Sequence, residues 1–433
     1  MRIKAEISKD GKTLTADTFK DLMYFLDKTN QFPKNCKIKE LVIKNASSNF
    51  TINDIKNMLR HAMLQTVEWF EIVSPDSRLC TKGGLLYSAD GTSLYLCPNG
   101  RKGTLIIPDG TTVITDFVGK SCAFSTVVIP DSVRRIDGYS FARNYTLEEI
   151  EGCKNVEQIG DYAFADCHQL KKFPFGECIK TIGKYAFGNT MLTDIYLPEG
   201  LSHVGRQAFN TICITYGLQT WVGPSQMYDI RIPSTLKYIE PYAFANAANI
   251  YTPFVNSALI QAGMRSGNLK HCHECNIWKL KIDGKPDVIM PKTCSTSACA
   301  SKMANKINTA FGIKTAQNDK SATGNPPELY QYSPGSTGLT AALEQCRKYP
   351  NGRLKRFITQ NVSVIFYNLI ISPLNNNGEE IMVSLINDKV FTDTALKHLL
   401  KEVEKVEDTQ NLTVLKTYIL NSISNYPQNT FRI

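Results

Sequence analysis

The middle of this chain is built on a repeat. An apolar residue and Pro close one short run; an Ile-Gly pair, two further residues and Ala-Phe then follow, and the block returns about every 22 residues. The apolar member of the Ile-Gly element falls at Ile114, Ile136, Ile159, Ile182, Val204 and Ile239, with steps of 22, 23, 23, 22 and 35. The long last step contains an insertion. The Ala-Phe element is read at Ala123-Phe124, Ser140-Phe141, Ala163-Phe164, Ala186-Phe187, Ala208-Phe209 and Ala243-Phe244. The strand-ending Pro stands at Pro108, Pro130, Pro174, Pro198 and Pro233.

Each element has a mechanical reason. The run Leu192 to Leu197 alternates as a half-buried strand does, and the Pro after it removes a backbone donor and stops pairing. Gly is expected to permit a tight bend, Ala to let neighbouring coils approach, and Phe to fill the space between them. One such coil cannot bury its own apolar face, so the fold must be a stack of coils.

The blocks Ile159-Gly-Asp-Tyr-Ala-Phe164, Ile182-Gly-Lys-Tyr-Ala-Phe187 and Val204-Gly-Arg-Gln-Ala-Phe209 resemble the BspA-like leucine-rich repeats. The resemblance covers residues 68–270, including a leading hairpin at Gly84 to Pro98 around Asp90-Gly91, and a closing helix from Asn256 to Gly267. It implies an α/β repeat solenoid with parallel strands, in a family associated with adhesion and protein binding.

The flanks are read from their own patterns. In residues 1–67, helical spacing at Phe19, Leu22, Met23, Phe25 and Leu26, a strand at 38–43 and a second helix at 52–63 suggest an N-terminal α/β cap. Residues 271–314 form a Cys-rich exit segment. The stretch 315–338, rich in Gly, Pro, Ser and Asn, reads as a linker. Residues 339–433 then read as a separate small α+β domain, with strand-like runs at 357–371 and 380–386 between helices.

Composition narrows the function. The 433 residues carry 49 Lys and Arg against 40 Asp and Glu, without a concentrated basic patch, so nucleic-acid binding is not favoured. No apolar stretch is long enough to span a membrane. The N-terminus has no secretory signal, which suggests cytoplasmic synthesis and reduced thiols for the 13 Cys. Cys272, Cys275, Cys294 and Cys299 have a spacing that resembles a zinc ribbon; the competing reading is buried thiols, and no other cofactor is expected. No nucleophile elbow, phosphate loop or dinucleotide motif occurs.

The expected function is therefore non-enzymatic binding or structural support, with protein partners in a larger assembly such as a phage virion or tail. The alternatives are a cell-surface adhesin and an enzyme with its active site in the C-terminal domain. The expected partner-binding residues are Asp194, Tyr196 and Arg231 on outward strand positions, and Tyr216, Trp221 and Tyr228 in the aromatic insertion from Thr215 to Tyr228.

Overall fold

The computed structural model describes residues 4–28, 37–45, 55, 57, 61, 64–74, 78–210, 214–216, 219–221, 228–264, 277–293, 297–313, 326–332, 335–371, 377–406 and 411–423. For Ile214–Tyr216 and Gln219–Trp221 it describes the backbone alone. The chain divides into two compact units, Met1–Phe244 and Ala245–Ile433.

The first unit opens with the strands Thr13–Ala16, Glu40–Asn45 and Trp69–Ser74, paired in parallel with Leu14, Leu41 and Phe70 in one register. Ala5–Ile7 joins antiparallel at the edge. The expected helix is present at Phe19–Lys28, and Leu22, Phe25 and Leu26 pack into the core beneath the sheet. Thr18 starts it, accepting from the Asp21 amide while its hydroxyl donates to the Asp21 carboxylate. The second helix expected at 52–63 lies mostly outside the described residues.

The hairpin of Leu85–Ser88 and Ser93–Leu96 follows. Gly91 takes a left-handed φ of 68°, and the Asp90 carboxylate closes the turn by accepting from the Ser88 hydroxyl and the Thr92 amide.

From there the repeat runs in one unbroken register. Leu94, Ile114, Ile136, Ile159, Ile182, Val204 and Ile239 are successive Cα partners in a parallel ladder, and each is buried. All six positions read from the sequence fall on this ladder. A second parallel sheet pairs Lys102–Ile106, Ala123–Ile129 and Glu149–Gly152, and Asp194–Tyr196 pairs with Tyr228–Arg231.

The glycines have a different job from the one their sequence position suggested. A Cβ on Gly160, Gly183 or Gly205 would lie 2.5–2.6 Å from a backbone nitrogen of the preceding coil. These residues are Gly because the stack is close, while the bend itself is made two residues later. Tyr162, Tyr185 and Gln207 sit there at φ of 58°, 54° and 56°, and Tyr139, three residues after Ile136, takes the equivalent place at 55°.

The rings of Phe141, Phe164, Phe187, Phe209 and Phe244 form the expected interior column, with successive centroids 5.5, 5.4, 5.3 and 6.2 Å apart. Phe124 does not belong to that element as the sequence suggested. By backbone hydrogen bonding, Gly119 occupies the position of Phe141 and Phe164, its amide donating to Ser140 O as theirs donate to Ala163 and Ala186. Phe124 lies on the next strand and its ring fills the space above Gly119, where an added Cβ would meet Phe124 and Phe141.

The second unit begins with Ala247–Tyr251, paired in parallel with Ile277–Lys281, which pairs antiparallel with Val288–Pro291. The closing helix is Ser257–Gly263, capped by Asn256, whose side chain accepts from the Leu259 amide at 2.8 Å. Lys292 is buried, its ammonium donating to Ala245 O and Ala247 O at 2.8 and 2.6 Å.

The C-terminal part corrects the α+β expectation. Helices occupy Gly335–Lys348, Gly352–Gln360, Val362–Phe366, Gly378–Asn387, Asp393–Val406 and Thr413–Ser422, with a π-helical turn at Tyr367–Ile371. No strand lies among the described residues after Pro291. The run at 357–371 is apolar enough to pass for a buried strand, yet Leu354, Ile358, Val362, Ile365 and Leu369 are buried at helical spacing. Glu379 lies in the first turn of a helix and accepts from the Leu415 amide.

The domain boundary moves as well. Ile277 and Ile289 from the strands share one apolar core with Leu339, Ala342, Leu354 and Leu399, so the helices are built onto the strands rather than separated at 338. Of the expected linker, residues 335–338 are helical and 315–325 lie outside the described residues.

Candidate interaction surface of the repeat array

A strand with Ile195 and Ile230 turned inward must show its alternate residues to solvent. Asp194 stands beside Asp229, Ile195 beside Ile230, and Tyr196 beside Arg231. Ile195 and Ile230 are fully buried, whereas Tyr196 is 58% exposed. The Arg231 guanidinium lies over the Tyr196 ring, 4.4 Å from its centroid. That cation–π contact is worth about 0.5–1 kcal/mol at an exposed site and holds the ring in one orientation. Two neighbouring carboxylates, Asp194 and Asp229, border the pair.

Tyr228 departs from its expected role. It is two residues from Ile230 and therefore shares the inward side of the strand; at 2% exposure it packs in the interior, 6.4 Å from the Phe209 ring. It presents no surface to a partner. The rest of the insertion contains a hairpin, Ile214–Tyr216 paired with Gln219–Trp221, in which Ile214 faces Trp221 and Tyr216 faces Gln219 across the backbone. The side chains of Tyr216 and Trp221 lie outside the described residues.

The same sheet side continues toward the N-terminus with Thr104, Thr126, Glu149 and Lys172 in one row. Lys172 and Glu149 form an ion pair at 3.3 Å. Ile106 and Val128 occupy the next row, and Ile106 is 67% exposed. The Ile ladder has a row of its own one residue earlier: Arg135, Gln158, Thr181, His203 and Tyr238. His203 Nε2 lies 3.3 Å from Glu240 Oε1, and Tyr238 is largely exposed.

One feature escaped the sequence reading. The left-handed positions carry a second aromatic ladder, Phe117, Tyr139, Tyr162 and Tyr185, with centroids 5.1, 4.8 and 5.4 Å apart. Lys120 and Lys184 lie over ring faces of this ladder. The Gly-x-Tyr-Ala-Phe spacing of two blocks carried the signal, overshadowed by the Phe that follows.

The thiols show how burial controls reactivity. Burial pushes the Cys167 thiol up to about 12 and drives Cys153 up as well, so neither is available as a nucleophile near neutral pH. Of the four cysteines with zinc-like spacing, Cys272, Cys275 and Cys294 lie outside the described residues. Cys299 is half-buried on the helix Ser297–Phe311. Among the described residues no group of three or more His, Cys, Asp or Glu could hold a metal ion, and no helix is long and apolar enough to cross a membrane.

Stacked parallel strands with a Phe column and one rigid outward row per coil define a repeat protein. Residues 102–216 and 219–292 match the BspA type leucine rich repeat region in six copies, and this part of the chain is such a region. A leucine rich cell surface protein from Faecalibacterium prausnitzii is similar over 54% of this chain and 52% of its own, at 20% identity and a TM-score of 0.34. The chain thus spans about half of that protein's length. A leucine rich repeat protein from T. pallidum shares 19% identity over 41% of this chain and 80% of its own, with a TM-score of 0.30. The pneumococcal vaccine antigen PcpA shares 14% identity over 52% of this chain and 53% of its own, with a TM-score of 0.28. Among curated proteins no relative matches the chain.

Proposed function

We propose that this protein works by binding a protein partner rather than by turnover, with Tyr196 and Arg231 at the centre of the contact. The observation that carries the reading is an exposed aromatic clamped by a guanidinium on strands whose inward neighbours are fully buried. Such a ring is presented at almost no ordering cost, which is what distinguishes an interface anchor from an ordinary surface side chain. Trp221 and Tyr216, on the paired strands Ile214–Tyr216 and Gln219–Trp221 of the insertion, serve as further anchors. The setting is a larger assembly, a virion or tail included; adhesion at a cell surface is the competing setting.

The test is retention of a partner from the source by immobilised full-length protein. A partner held by the parent should be weakened about tenfold or more by Tyr196→Ala with Arg231→Ala, at unchanged thermal midpoint. A partner held equally well by both removes these residues from the interface. Fractionation of the source separates the settings, since an assembly subunit travels with particles and an adhesin with the cell envelope.

A further inference from the structure

The second unit contains an open cleft of about 630 Å³, within the range of roughly 300–1,000 Å³ that ligand sites occupy. One wall is the helix Ser297–Phe311, which lines it with Lys302, Asn305 and Lys306. Ala300, Met303, Ala304 and Ile307 of the same helix are buried, so the core fixes its rotation and the lysines stand on its outer side. Across the cleft lie Glu328, Gln331 and, from the first turn of the helix Gly352–Gln360, Arg353.

Charge decides what such a cleft takes. Three cations line it against one carboxylate, and that carboxylate is already engaged. Glu328 accepts from the Tyr330 hydroxyl and the Asn351 side-chain amide at 3.3 and 3.0 Å, with the Arg353 guanidinium 3.7 Å away. Lys302 and Lys306 therefore face the cleft with no further lining carboxylate to balance them. Spacing narrows the choice of anion. The two lysines are one helical turn apart, about 6 Å along the axis, and alternate residues on one side of an extended chain are about 6.6 Å apart. Asn305, exposed between them, offers both a donor and acceptors for a peptide backbone.

We propose that this cleft binds a carboxylate-rich peptide segment, in which alternate acidic side chains pair with Lys302 and Lys306 while Asn305 hydrogen-bonds the backbone between them. The site is independent of Tyr196 and Arg231, which belong to the first unit.

The probe is a fluorescein-labelled hexaglutamate peptide, titrated with the full-length protein and read by fluorescence anisotropy. Saturable binding that weakens as salt rises is expected. Lys302→Gln with Lys306→Gln should reduce the affinity about tenfold or more, at an unchanged circular dichroism spectrum and thermal midpoint. Lys397→Gln with Lys401→Gln, which removes two exposed lysines from the helix Asp393–Val406, should leave it unchanged. Equal losses in the two double variants would reduce the binding to attraction by net charge and overturn the site, as would a peptide that does not bind at all. Inorganic phosphate is the second probe: if it displaces the peptide at constant ionic strength, the cleft takes a compact anion and the peptide reading is overturned.

Discussion

The repeat array and the C-terminal helices are both apolar inside, yet only the array could be read residue by residue from sequence. In the array each structural position is sampled several times, so the Ile ladder and Phe column reveal themselves by recurrence across coils. In the helical part each position occurs once. There, Phe357 to Ile371 had to be judged from local pattern alone, and a continuous apolar run fits a buried strand as well as a buried helix. Repetition therefore supplies information that hydrophobicity does not.

Crowding between coils puts the array to a severe test. Gly183→Val should be strongly damaging, because even a Cβ there would sit 2.5–2.6 Å from Asp161 and Gly160 atoms. A loss of more than about 3 kcal/mol in urea unfolding is expected, from overpacking against backbone that cannot yield. A tolerated valine would mean the coils are further apart than described. Phe187→Ala should cost about 3–5 kcal/mol, since the ring stacks on Phe164 and Phe209 and meets Phe173 edge-on.

In the second unit, Leu399→Ala removes a fully buried side chain from the helical core and should cost about 2–5 kcal/mol. Its sharper use is spectroscopic. Destabilising residues 335–423 should reduce helical circular dichroism first, whereas a loss of β signal alone would support the strand reading that the structure replaces.

What the sequence did not disclose follows from geometry between coils. The role of Gly160 and Gly183 depends on the backbone of the preceding coil, which no single block displays. Phe124 was grouped with Phe141 because Ala-Phe recurs there, although Gly119 holds the equivalent position and Phe124 reaches the same cavity from a strand. Tyr228 looked like part of an exposed insertion because nothing local says where the insertion ends; the inward phase of Ile230 decides it. Asp194, Tyr196 and Arg231 were legible because strand alternation alone sets their outward direction.

A smaller effect concerns pH. Burial holds the His168 imidazole below its ordinary value, although its Nδ1 contact with Asn189 O and nearby Asp166 oppose this. The unfolded chain therefore takes up the proton more readily than the folded one, and stability should fall as pH drops below about 6.5. His168→Gln should flatten that slope. An unchanged slope would assign the pH dependence to other groups.

Metal content gives a yes-or-no result for the Cys-rich segment. If Cys272, Cys275, Cys294 and Cys299 hold zinc, protein purified without chelator should contain one equivalent, lost in Cys275→Ser. Folded, metal-free protein would leave the buried-thiol reading.

The most direct measurement compares equilibrium unfolding and partner affinity for Tyr196→Ala. Inward side chains should support the fold and outward ones should serve recognition, so this variant should unfold within about 0.5 kcal/mol of the parent while partner affinity falls about tenfold or more. A variant that loses several kcal/mol of stability and keeps its affinity would contradict the division between interior column and recognition surface.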